Sequence, residues 1–186
     1  MTTASSPFGL RPVFHPSGVI RQRHLVNGIA SGYATAIYTG TPVKPTTDGT
    51  LVASGTGADN MIGVFQGVEF SSAGAFRILP YWPASQTYDA DGLMEVYFTF
   101  DKNIVYEAQM SATVASTVNF ETTNLTQTSQ GSVYTGQSTQ TLTASTTGAS
   151  AGLVQIIGIA PYSNNAWGDT YPIVRCVIST YSVPVA

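Results

Sequence analysis

The residues of this 186-residue chain that could do chemistry are few, and none sits at a spacing that catalysis or metal binding requires. Two histidines, His15 and His24, fall in a Pro/Gly-rich opening stretch with no further ligand at metal spacing. Asp89-Ala90-Asp91-Gly92 with Glu95 has a faint likeness to a calcium loop, but an EF-hand needs more ligands and a glutamate much later. A turn opening the next strand accounts for these acids better. Gly136-Gln137-Ser138-Thr139-Gln140 begins like a nucleophile elbow, yet it lacks the closing glycine and no histidine follows it. Gly55-Thr56-Gly57 lacks the third glycine of a phosphate-binding fingerprint and leads into a strand, where that fingerprint must open a helix. Cys176 stands alone on an apolar strand face and reads as a small core residue. The expectation is a chain without catalytic residues, metal or cofactor.

Charge points the same way. Between Ala108 and Gly168 the one charged side chain is Glu121, and charged residues make up 9% of the whole, against about 25% in ordinary soluble chains. Acid–base and nucleophilic mechanisms need titratable groups with tuned pKa values, and a third of the sequence has almost none. Residues 1–30 carry Arg11, Arg21 and Arg23 and no acid, while residues 31–186 carry four basic and ten acidic groups. A basic segment on an acidic body suits an acidic protein surface. Three arginines would neutralise few phosphates, so nucleic acid is not an expected partner. No apolar run reaches the length of about 18 residues that a membrane helix needs. The opening residues show no secretion signal, and the lone cysteine suits synthesis in a reducing cytosol.

The elements that would position these groups are strands. Met94, Val96, Phe98 and Phe100 alternate with Glu95, Tyr97 and Thr99, the period of a half-buried antiparallel strand. Residues 104–110 repeat the pattern with Glu107 and Gln109 on the polar side, and residues 173–181 repeat it with Val174, Cys176 and Ile178 facing inward. Residues 41–45 and the segment after Asp48-Gly49 form a hairpin. Residues 61–70 make a strand bent at Gly63 or Gly67, and residues 76–82 and 153–159 add two more. Residues 112–120 hold one short helical turn at most. The predicted fold is all-β, an antiparallel β-sandwich or barrel. Residues 1–32 show neither period and read as an extended N-terminal arm on a single β-rich domain, residues 33–186. Within that domain lies a long Ser/Thr-rich polar insert, residues 111–150.

Taken in order, several segments resemble the capsid decoration (cement, head-stabilising) proteins of tailed bacteriophages. Ser6-Pro7-Phe8-Gly9-Leu10-Arg11-Pro12-Val13 looks like their opening, Gly40-Thr41-Pro42-Val43 with Asp48-Gly49 like their first hairpin, and Ile62-Gly63-Val64 like the next strand. Val105-Tyr106-Glu107-Ala108-Gln109 is similar to their FEVQ strand, Gly136-Gln137-Ser138 to a small polar turn, and Ile156-Ile157-Gly158-Ile159 with residues 174–180 to their close. The chain departs from the pattern in Tyr106, in the longer insert, and in the apolar ending Ser182-Val183-Pro184-Val185-Ala186. The resemblance implies a non-enzymatic virion protein made in the host cytoplasm. It would sit on the outer capsid surface and bridge subunits of the major capsid protein, as a homo-oligomer, a trimer by analogy. An arm suits that task, since twenty extended residues reach about 65–70 Å. Pro7, Phe8, Leu10, Arg11, Pro12, Arg21 and Arg23 are the expected capsid-binding residues, with Phe8 and Leu10 in apolar pockets of the shell and the arginines near its acids. The alternative is a virion surface module for host or glycan recognition, using Tyr81, Trp82, Tyr97 and Tyr171.

Overall fold

Strand alternation, and not helix propensity, organises this chain. The computed structural model describes residues 4–54, 60–127, 129–144 and 152–179. The strands in chain order are β1 (Arg11–Phe14), β2 (Gln22–Val26), β3 (Ile37–Tyr38), β4 (Pro42–Pro45), β5 (Leu51–Ala53), β6 (Gly63–Ser72), β7 (Ala75–Leu79), β8 (Tyr81–Trp82), β9 (Met94–Thr99), β10 (Val105–Gln109), β11 (Thr122–Thr123), β12 (Val154–Ile159) and β13 (Ile173–Ile178). A 3₁₀ turn, Ser116–Val118, lies between β10 and β11. Gly55-Thr56-Gly57, part of the insert (residues 128 and 145–150) and the apolar ending lie outside the described residues.

One sheet has the order β1-β10-β13-β12-β11; the second runs β2-β9-β6-β4-β5 with β7 on the far part of β6; β3 and β8 pair separately. Among the described residues the pairings of these strands are antiparallel and neither sheet closes on itself. The fold is the expected all-β class in sandwich-like form. The β4–β5 hairpin turns at Asp48-Gly49, where Gly49 takes φ +77°, a conformation that suits glycine. β6 bulges against β9 between Phe65 and Gly67, so the glycine-marked bend is real. Residues 76–82 are two strands in different sheets, because Pro80 cannot donate to a ladder.

The apolar interior divides into two clusters. Leu10, Val64, Tyr106, Val154, Ile156, Val174 and Cys176 fill one; Ile37, Val43, Phe65, Phe70, Trp82, Val96 and Phe98 fill the other. β6 serves both, since its successive residues Val64 and Phe65 face opposite ways. A polar seam runs where the clusters meet. The Val64 amide donates to Thr99 Oγ1 at 3.0 Å, and Thr99 Oγ1 bonds the Tyr106 hydroxyl at 2.8 Å. Gly63 lies on the Thr99 carbonyl so closely that a Cβ there would stand 1.5 Å from the oxygen.

The N-terminal segment belongs to this body. β1 pairs with β10, Arg11 opposite Glu107, and β2 pairs with β9, His24 opposite Tyr97. The two strands thus form the outer edge of both sheets, which corrects the expectation of a separate arm. Pro12 is tolerated because an edge strand has one unpaired side. The described part of the insert is likewise packed. Val114, Val118, Leu125 and Leu142 are buried in the first cluster, the Thr39 amide donates to the Gly136 carbonyl at 2.9 Å, and the Ser138 amide donates to the Thr39 carbonyl at 2.9 Å.

Candidate functional site

The segment expected to grip a partner splits into an inward half and an outward half. Leu10 is completely buried in the first apolar cluster, so it fills this chain's own core and not a pocket in a neighbour. Its amide donates to the Gly40 carbonyl at 2.8 Å. Pro7, Phe8 and Pro12 are half-buried. Arg11 is exposed, but its guanidinium lies 4.6 Å above the Phe8 ring and donates to Glu107 Oε2 at 2.8 Å. Arg21 and Arg23 remain outward, exposed and without an acidic partner among the described residues.

Glu107 and Gln109 are the receivers of the inward half. The alternation of β10 puts them on its polar side, as expected, but both are buried there, 2% and 1% exposed. Glu107 accepts from Arg11, from Arg175 Nε at 3.3 Å, and from the Tyr162 hydroxyl at 2.5 Å. Gln109 accepts from the Ser6 amide at 2.9 Å and donates to the Ala4 and Tyr171 carbonyls. Burial alone would raise the Glu107 pKa, but hydrogen bonds from Tyr162, Arg11 and Arg175 outweigh it and hold the carboxyl below its ordinary value. The same bond pushes the Tyr162 hydroxyl up.

This arrangement has a pH signature. A carboxylate whose pKa is depressed on folding contributes stability above its unfolded value, about 4.3, and loses that contribution as pH falls through the folded value. The melting temperature should therefore fall on acidification below about pH 4.5, and Glu107→Gln should flatten that fall. At pH 7 the substitution should cost about 1–3 kcal/mol, because it weakens three bonds to a buried acceptor. Thermal melts of both proteins from pH 7 to pH 3 check this; parallel curves would remove Glu107 from the account.

Several other titratable groups are also engaged in holding the fold. Asp89, read as a possible calcium ligand, accepts from the Ala73 and Gly74 amides at 2.9 and 3.0 Å and closes the β6–β7 turn. His15 bonds Asp101 at 3.1 Å across two turns. His24 bonds Glu95 at 3.1 Å, and the Tyr97 hydroxyl donates to Glu69, which lies directly opposite Glu95. The bond to Glu69, more than burial or the charge of the two acids, pushes Tyr97 up to about 12. Cys176 is fully buried and its thiol is pushed up to about 12 by desolvation, the reverse of an activated nucleophile. Native protein should resist thiol labelling over hours, and Cys176→Ala should cost about 0.5–1.5 kcal/mol; rapid labelling would contradict the burial.

The aromatics considered for glycan recognition do not share one environment. Trp82 is completely buried, Tyr81 stacks on Tyr38 with centroids 5.7 Å apart, and the Tyr171 carbonyl is bonded to Gln109. What the sequence did not signal is the outward face of the second sheet. Val26 on β2 and Phe76 and Ile78 on β7 are 55%, 54% and 70% exposed. They flank Glu95, Tyr97 and Glu69 on that face, since Val26 lies opposite Glu95, and Ile78 opposite Glu69. The hint lay in Phe76 and Ile78 alternating with Arg77, but alternation alone does not say which side is wet. No protein-family model matches this chain, and neither does any curated protein or solved structure.

Proposed function

We propose that this chain is a non-enzymatic structural protein of a phage virion, decorating the outer surface of an icosahedral capsid and bridging subunits of the major capsid protein. The resemblance of its ordered segments to cement proteins supplies the class. The observation that carries the reading is the outward face of the second sheet, where Val26, Phe76 and Ile78 stand exposed around a small polar centre. Exposed apolar side chains grouped on one face mark a contact surface. A chain with 9% charged residues has little else to keep such a face in water. Both histidines and the acids Asp89, Glu95, Asp101 and Glu107 tie turns and strands together, which suits a protein whose work is to stay folded and hold others. Several weak contacts made through one oligomer raise avidity by effective concentration.

The test is sedimentation of the purified protein with undecorated shells of its own phage, alongside light scattering of the free protein. Saturable co-sedimentation and an oligomer, a trimer by analogy, are the expected results. A 19.6 kDa monomer at micromolar concentration that stays in the supernatant would overturn the reading.

A further inference from the structure

We propose that the cleft where the β1–β2 turn meets the β9–β10 turn is a docking site for an extended acidic segment of a shell subunit, held by Arg21 and Arg23 beside apolar side chains. The inference rests on the preceding section only for the source of that segment; the chemistry of the cleft stands by itself. Both turns are built locally. The Gly18 amide closes on the His15 carbonyl at 2.8 Å, and the Asn103 amide donates to Asp101 Oδ1 at 2.8 Å. The His15–Asp101 bond ties one turn to the other and fixes the back of the cleft. Between them lies a space of about 340 Å³ lined by Phe100 and the buried Ile104, by the exposed Val19, and by Arg21 and Arg23. That volume is at the low end of ordinary ligand clefts, about 300–1,000 Å³. It is large enough for side chains of an extended segment.

Charge selects the occupant. Arg11, Arg175, His15 and His24 each contact a carboxylate, whereas Arg21 and Arg23 have no acidic partner among the described residues. Asp101 is the one acid lining the cleft. It is already engaged by the Asn103 amide and His15, which together keep it below the usual carboxylate range against a push up from burial. The cleft therefore holds a positive surplus on a chain of net charge −3. Arg23 lies opposite Phe98, Arg21 immediately precedes β2, and both line the cleft; residues two apart on extended backbone stand about 6.5–7 Å apart. Acids at alternate positions of an extended segment have the same spacing. Among the described residues β2 also ends its sheet, with β9 as its strand partner, so its outer backbone edge can take an added strand. Two arginines are too few for a nucleic-acid backbone.

The probe is a fluorescein-labelled eight-residue peptide alternating Glu and Leu, titrated with the full-length protein by fluorescence anisotropy. Saturable binding is expected, with at least tenfold weakening in the Arg21→Gln/Arg23→Gln protein and a several-fold loss between 50 and 300 mM salt. The double variant should melt within about 2 °C of the parent, because both side chains are exposed and unpaired. Equal affinity for a Gln–Leu peptide, no effect of the double variant, or tighter binding of a labelled single-stranded oligonucleotide overturns the proposal. Shell sedimentation separates it from the capsid reading. If the double variant saturates shells as the parent does, the cleft is wrong and the capsid reading stands. If the peptide result holds while neither protein binds shells, the cleft chemistry stands and the shell as its source is wrong.

Discussion

Gly63→Ala is expected to abolish the folded state or to lower the melting temperature by about 8–16 °C, the shift that about 4 kcal/mol produces in a chain of this size. The added methyl would stand 1.5 Å from the Thr99 carbonyl oxygen and 2.7 Å from its carbon. Backbone on both sides leaves nothing flexible to yield. β6 and β9 would have to part at the middle of the second sheet, and Thr99 would carry its bonds to Val64 and Tyr106 with it. The damage would therefore reach both apolar clusters. Gly49→Ala is the matched control. It has open space around the position and a φ of +77°, so it should cost about 1–2 kcal/mol from backbone conformation alone. Calorimetry of the two variants separates the effects, and equal losses would mean that the close approach at Gly63 is relieved cheaply.

Removing residues 1–14 should be nearly as damaging, although an appended arm could be cut away at no cost. The truncation takes Leu10 from the core, about 1.5–3 kcal/mol for a side chain of that kind. It also strips Arg11 from a buried carboxylate, which adds about 1–3 kcal/mol, and bares the edge of β10. Against a total stability of about 5–15 kcal/mol, the shortened chain should melt at least about 10 °C lower or fail to accumulate in soluble form. A truncated protein that melts within about 2 °C of the full chain would show that β1 is an ornament on the sheet.

The strands that were legible in sequence are those with one wet and one dry face. β9, β10 and β13 announce themselves by alternation, and the β4–β5 hairpin by Asp48-Gly49. β1 was not legible because its four residues run exposed, half-buried, half-buried, exposed, a pattern with no period. What recruits it is Glu107, 96 residues away along the chain. The insert was opaque for a related reason. Val114, Val118, Leu125 and Leu142 are single apolar residues at uneven intervals, and its polar side chains bond backbone instead of water, as when Thr123 Oγ1 donates to the Thr143 carbonyl at 2.6 Å. Of the residues expected to grip a partner, Arg21 and Arg23 have the outward character their charge implied. Leu10 could not be distinguished from an exposed anchor without knowing what β10 offers it.

The pairing of β1 with β10 and of β2 with β9 also sets a timetable. β1 and β2 leave the ribosome well before their partners, whose register positions, Glu107 and Tyr97, come 96 and 73 residues later. At synthesis rates of about 5–20 residues per second, these edges stay unpaired for several seconds while the rest of the chain emerges. Pairings so distant in sequence place the protein among slow folders, on the order of milliseconds to seconds once the chain is complete. Until β9 and β10 arrive, the N-terminal strands are open edges seeking a partner, and Pro7, Pro12 and Pro16 beside the three arginines are what keep them from pairing with the wrong one.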